Sequence, residues 1–174
     1  MFRYSDKEIK EILKEATVVV DTREQKCGHI IEYFTAKKIP YVCEKLDFGD
    51  YTLKVHLPHV ERPVYLQDKC VIERKANLNE LSGNFTQSRE RIESEFLKGR
   101  GKMHLLIENA KYEDILLHNY NTKYLPQSFM GTLKAFEARY DLKIMYLENS
   151  TYSGDFIYRT LQHHLRELLR KGEL

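Results

Sequence analysis

The sequence predicts an α/β protein, a three-layer α/β/α sandwich around a central mixed sheet. Short apolar, β-branched runs alternate with amphipathic segments along the whole chain. The predicted element order is α-β-α-β-β-β-α-β-α-α-β-α, and strands interleaved with helices favour a mixed sheet covered on both faces. No repeat or linker rich in Gly, Ser or Pro interrupts the 174 residues, so a single domain over 1–174 is expected.

The first predicted elements have clear local signals. Ser5 and Glu8 form a capping box, which predicts that a helix begins there. A β-branched run that ends at Asp21 indicates a buried strand, and Pro40 ends the next helical pattern. The predicted elements are a helix over 5–15, a strand over 17–21 and a helix over 28–38.

The rest of the chain is assigned in the same way. Pro126 suits a first helical position, and Gly172 suits the position after a helix. The predicted strands are 41–46, 51–55, 70–75, 103–108 and 142–147. The predicted helices are 77–98, 111–118, 126–140 and 153–171, and residues 57–68 are predicted as a long connecting turn.

Composition and charge exclude some classes of protein. The chain has 28 Lys and Arg against 26 Asp and Glu, a net charge of +2 that neither implies nor excludes nucleic acid. No apolar run approaches the ~20 residues of a membrane span, and the charged start does not resemble a secretory signal. The three cysteines form no CxxC pair and are expected to be reduced thiols. These features predict a cytoplasmic protein without membrane contact, or a nuclear one in a eukaryote.

Acidic residues at predicted strand ends form the first candidate site. If strands 51–55 and 70–75 pair around the 57–68 turn, Asp50 lies next to Glu73. Glu73 and Lys75 point to the same side of their strand, and Arg74 points to the other. Two carboxylates and an ammonium suit metal-assisted phosphodiester hydrolysis with Mg²⁺ or Mn²⁺. On spacing alone, a solvated strand face and a turn aspartate are the simpler interpretation, because short motifs recur by chance.

Three motifs that occur in order favour a catalytic site over that simpler interpretation. They are Val20-Asp21-Thr22-Arg23-Glu24, Leu46-Asp47-Phe48-Gly49-Asp50-Tyr51 and Val71-Ile72-Glu73-Arg74-Lys75. Together they resemble the signature of the XPF/Hef-type (ERCC-type) nuclease domain, a branch of the PD-(D/E)XK nucleases. The motif-bearing core covers about 17–110, and 111–174 would add C-terminal helices and a strand. Small stand-alone members of this family occur in phages and mobile elements, so the resemblance is compatible with a stand-alone phage or bacterial member.

The resemblance implies roles for individual residues. It implies Asp50 and Glu73 as metal ligands and Lys75 as the catalytic lysine. Asp21 and Glu24 would complete the acidic pocket, with Asp21 a further metal residue. The chain departs from the motif at Asn79, which stands where the family has an aspartate, and Glu80 follows it. The role of Asn79 stays open.

A basic set of side chains is expected to contact DNA. Arg23 and Arg74 match arginines of the family motifs. Gln87 and Arg89 fall where the family presents polar groups from its next helix, Arg89 as an expected DNA contact and Gln87 with a role that stays open. Lys98, Arg100 and Lys102 form a flexible segment without acidic residues. For the stretch that begins at Arg89, a solvated helix with near-neighbour ion pairs is the alternative.

The resulting prediction is a Mg²⁺- or Mn²⁺-dependent DNA endonuclease, with branched, flap or fork DNA as the implied substrate in repair, recombination or phage replication. The sequence contains no helix-hairpin-helix module, helicase motor or Gly-rich nucleotide loop. We therefore expect no nucleotide cofactor. The resemblance implies a homodimer, because helices after the nuclease core pair two nuclease domains in this family, or a separate DNA-targeting partner. The alternative is an inactive DNA-binding or partner-binding module with a nuclease fold.

Overall fold

The structure, a computed structural model, describes residues 4–174. These residues form an α/β fold with a seven-stranded mixed sheet and seven α-helices, which confirms the predicted class. They divide into two compact units, one made of the described residues up to Val71 with Gly154–Leu174, the other of Ile72–Ser153. No helix in the described part of the chain is long and apolar enough to cross a membrane.

The elements of residues 4–174 are as follows. The α-helices are α1 (Asp6–Glu15), α2 (Gly28–Ala36), α3 (Leu78–Gln87), α4 (Arg89–Lys98), α5 (Tyr112–Leu116), α6 (Pro126–Tyr140) and α7 (Ser153–Lys171). The strands are β1 (Thr17–Asp21), β2 (Tyr41–Glu44), β3 (Tyr51–Val55), β4 (Val64–Tyr65), β5 (Val71–Lys75), β6 (Met103–Glu108) and β7 (Lys143–Leu147). β3, β6, α6 and α7 have the predicted bounds, and the Ser5–Glu8 capping box of α1 is present.

The first unit is built around β1. β1 pairs with β2 in parallel and with β3 antiparallel, with Val20 opposite Tyr51. The apolar side chains of β1 are almost fully buried, as the β-branched run predicts. The apolar stripe of α7 is buried as well, at Ile157, Leu161, Leu165 and Leu169. This pairing sets Asp21, at the end of β1, beside the backbone that enters β3.

The segment 57–68 is more than the connecting turn that the sequence predicts, and that prediction is wrong. It contains β4, which pairs antiparallel with β3, Tyr65 opposite Lys54. One turn of 3-10 helix follows at Leu66–Asp68, and the Leu66 side chain is fully buried. A strand of two residues is too short to produce an alternating pattern, so the sequence gives no sign of it.

The second unit has an aromatic core. Phe85 of α3 packs edge-to-face on Phe129 and Phe136 of α6, with ring centroids 5.7 and 5.3 Å apart, and Phe96 of α4 meets Phe136 at 5.8 Å. Such pairs contribute beyond the area that they bury. The helix predicted over 77–98 is two helices, because Ser88 leaves the helical conformation at φ −135°. β6 and β7 pair in parallel in this unit.

Candidate active-site residues

Asp21 is the most constrained acidic residue of the first unit. Its carboxylate accepts hydrogen bonds from the Arg23 backbone N–H (2.7 Å), from Arg23 Nε (2.8 Å) and from the Leu46 backbone N–H (2.6 Å). Burial alone would raise the pKa of Asp21, but these hydrogen bonds and the Arg23 charge together lower it below the ordinary value. Both carboxylate oxygens are therefore engaged with the protein, which suits a residue that fixes the loop after β1.

Asp50 and Glu24 lie on the turns that border β1 and β3. The Asp50 carbonyl accepts a hydrogen bond of 2.8 Å from the Asp21 N–H, so the two backbones are adjacent. Gly49 has φ +70°, a left-handed conformation that residues with a Cβ rarely adopt. It turns the chain so that the half-buried Asp50 directly precedes β3. Glu24 is half-buried, and its Oε1 accepts from the Lys26 N–H at 3.1 Å.

The hydrogen bonds of Asp21 predict a pH-dependent contribution to stability. Because the pKa of Asp21 is lowered in the folded protein, its contribution is present above the ordinary value of 3.8 and is lost as the pH falls through the folded-state pKa. We expect Asp21→Asn to reduce the free energy of unfolding by about 1–3 kcal/mol at pH 7. Urea unfolding measured from pH 7 to pH 3 should show this deficit shrink at the acidic end.

The matched control for Asp21 is Asp47→Asn, since Asp47 is an exposed aspartate near the same turn. It should leave stability nearly unchanged at every pH. An Asp21→Asn deficit that stayed constant down to pH 3 would contradict the assignment of a lowered pKa.

Glu73 and Lys75 form the polar centre of the second unit. Lys75 Nζ donates to Glu73 Oε1 at 2.7 Å, and the two side chains are only 11% and 10% exposed. The contact confirms that both point to the same side of β5. A buried ion pair costs desolvation free energy and is poor evidence of a purely stabilising role. This pair is therefore the strongest candidate for chemistry in this unit.

The two residues at and after the position of the motif aspartate have different contacts. Asn79 Oδ1 accepts a hydrogen bond of 2.6 Å from the Asn121 N–H, so this side chain holds the loop between α5 and α6. Glu80, to which the sequence assigned no role, places Oε1 3.8 Å from Lys75 Nζ. The only sign of this contact in the sequence was that Glu80 directly follows Asn79, the position where the family has an aspartate.

Arg74 lies on the opposite side of β5 from Glu73 and Lys75. Its Nη2 donates to Glu108 Oε2 at 2.6 Å, and the two side chains are 5% and 1% exposed. Arg74 was expected to contact DNA. Its burial and its pairing with Glu108 argue against a direct contact and assign it to the interior of the fold.

The other predicted DNA contacts differ in accessibility. Arg23 is half exposed and bound to Asp21, and Arg89 is half exposed, paired with Glu93 at 2.7 Å. The Arg89 guanidinium also lies 5.3 Å from the centroid of the Phe136 ring, so the ion-pair alternative describes it better. Lys98 is exposed at the end of α4, and Arg100 and Lys102, exposed and half-buried, follow it. Gln87, whose role the resemblance left open, is exposed at the end of α3.

Each unit offers carboxylate oxygens of the kind that a hard divalent cation binds. Carboxylate oxygens, such as those of Asp50 and Glu73, are the ligands that Mg²⁺ and Mn²⁺ prefer. Asp21 fits less well as a metal ligand, because both its oxygens already accept hydrogen bonds from Arg23 and Leu46.

Comparisons with known proteins give a consistent result. A family model described as the ERCC4 domain matches residues 20–160. The solved structure of XPF from Aeropyrum pernix is similar, with a TM-score of 0.58 and 14% identity over 91% of this chain and 64% of that one. XPF from Aeropyrum pernix in complex with DNA has a TM-score of 0.60 and 15% identity over 84% and 63% of the two chains. At these identities the similarity shows the fold, and the chain spans less than two thirds of either structure. No curated protein matches.

Proposed function

Because this chain belongs to the ERCC4 domain family, we propose that it is a Mg²⁺- or Mn²⁺-dependent DNA endonuclease. The observation that carries the proposal is the buried contact of Lys75 with Glu73, 2.7 Å between Nζ and Oε1. A metal-held, activated water and charge neutralisation at the phosphate are what such an ion supplies to phosphodiester hydrolysis. Asp50 and Glu73 are the residues proposed to hold it.

Lys75 has the chemistry for the reacting phosphate. An ammonium held by hydrogen bonds in a nearly water-free position stabilises negative charge as it develops, at little reorganisation cost. Its partner Glu73 orients it, because the 2.7 Å bond fixes the end of an otherwise flexible side chain. We assign Lys75 to transition-state stabilisation and Glu73 to metal binding and lysine orientation.

DNA binding is proposed for the segment from the last residue of α4 to the start of β6. Lys98 and Arg100 are exposed, and Gly101 has φ +73°, so the chain turns sharply between α4 and β6. Lysine and arginine side chains on such a turn bind phosphates without reading sequence. Branched, flap or fork DNA is the proposed substrate, and a homodimer or a separate targeting partner is proposed to supply further contacts.

The test is a cleavage and binding assay with the unmodified chain and Asp50→Asn. Single-stranded, duplex and forked DNA are each incubated with Mg²⁺, Mn²⁺ or EDTA, and binding is measured by gel shift in parallel. We expect the unmodified chain to cut forked DNA only with metal, and Asp50→Asn to bind the fork without cutting it. Binding without cleavage by the unmodified chain would favour the inactive-module alternative.

A further inference from the structure

Lys75 lies between two carboxylates of the second unit. Glu73 accepts its hydrogen bond at 2.7 Å, and Glu80 Oε1 lies 3.8 Å from Nζ. The exposure of the two carboxylates differs, since the Glu73 side chain is 10% exposed and the Glu80 side chain 43%. Glu80 is therefore the partner of Lys75 on the solvent side.

Glu80 is held in place by the start of α3. Asn77 is the N-cap of this helix and its side chain accepts from the Glu80 N–H at 3.0 Å. Glu80 Oε2 in turn accepts from the Ala76 N–H at 2.9 Å. These two bonds resemble a capping box and leave the other oxygen, Oε1, on the side of Lys75.

The residue at the position of the missing motif carboxylate does not contact Lys75 in this way. Asn79 Oδ1 is bound to the Asn121 N–H, and Ser82 Oγ, one helical turn further, accepts from Thr122 Oγ1 at 2.9 Å. Both contacts hold the loop that joins α5 to α6. Neighbouring side chains of a helix point about 100° apart, so those of residues 79 and 80 contact different parts of the fold.

We infer that Glu80 is a positioning residue for DNA cleavage: its carboxylate restrains the Lys75 ammonium and so replaces the acidic group that Asn79 lacks. This inference rests on the proposed function. A lysine ammonium is a point charge on a flexible four-carbon stem, and Glu73 holds it from the buried side. A second carboxylate on the solvent side restricts its movement further. Small displacements of such a group are costly in rate.

Glu80→Gln isolates the charge from the helix cap. The amide oxygen of glutamine still accepts from the Ala76 N–H, so the fold should be retained and the midpoint lowered only by the lost attraction to Lys75. We expect kcat for forked DNA to fall about 10-fold or more, with KM unchanged or lower, since a negative charge has been removed. Glu113→Gln, at an exposed glutamate of α5, is the matched control.

A second variant separates positions 79 and 80. Asn79→Asp, introduced into the Glu80→Gln chain, should not restore kcat, because the side chain at 79 points to Asn121. Restoration would overturn the inference, as would a Glu80→Gln chain with the kcat of the unmodified chain.

Failure of the proposed nuclease function can be distinguished from failure of the Glu80 inference. If the unmodified chain cuts no DNA, the nuclease proposal fails, and the contact itself is tested by urea unfolding of Glu80→Gln, Lys75→Met and the double variant. A double variant whose midpoint shift is smaller than the sum of the single shifts supports the restraint of Lys75 by Glu80. Additive shifts overturn it.

Discussion

Lys75→Met is expected to reduce cleavage of forked DNA by about 10²–10³-fold, the loss that follows removal of one preorganised donor to a developing negative charge. Methionine keeps much of the side-chain volume, so the loss reports the missing ammonium rather than a cavity. Single-turnover cleavage at saturating protein measures the effect on chemistry apart from DNA binding.

Two controls accompany the Lys75 variant. Circular dichroism and gel shift should show that Lys75→Met folds and binds forked DNA, because the segment with Lys98 and Arg100 is unchanged. Lys134→Met, at an exposed lysine of α6, should cut at the rate of the unmodified chain. Equal cleavage by Lys75→Met would mean that the catalytic assignment is wrong.

Arg74→Met is expected to have the largest effect on stability. It leaves the Glu108 carboxylate, 1% exposed, without its guanidinium partner at 2.6 Å. Breaking a buried ion pair from one side costs about 3–5 kcal/mol, because a charge is left uncompensated in the interior. Urea unfolding monitored by circular dichroism measures the loss.

The double variant Arg74→Met with Glu108→Leu distinguishes this explanation from a simple packing defect. Removing both charges should recover most of the loss, since apolar replacements of a buried pair are often neutral. The exposed pair Lys134–Glu137 is the control, and Lys134→Met should cost only about 0.2–1 kcal/mol. A loss below about 1 kcal/mol for Arg74→Met would contradict the burial of the pair.

Local patterns predicted most of the fold. β3 alternates apolar and polar residues and β6 is largely apolar, while Pro126 and Gly172 mark helix termini, so their bounds followed from short-range chemistry. β4 could not be predicted in this way, because a two-residue strand exists only through its pairing with β3. The break at Ser88 also left no trace in the helical pattern of 77–98.

The candidate site was predictable to the same extent. Strand alternation was enough to place Glu73 beside Lys75 and to turn Arg74 away from them. The partner of Arg74 could not be predicted, since Glu108 is 34 residues further along the chain. The choice between Asn79 and Glu80 depends on the loop at Asn121, which only the tertiary structure brings to α3.

Cleavage of one end-labelled forked DNA by the unmodified chain, with Mg²⁺ or Mn²⁺ and then with EDTA, tests the central claim most directly. The proposed function predicts cutting with either or both metals and none in EDTA. Cutting that persists in EDTA, or no cutting under any of these conditions, would contradict it.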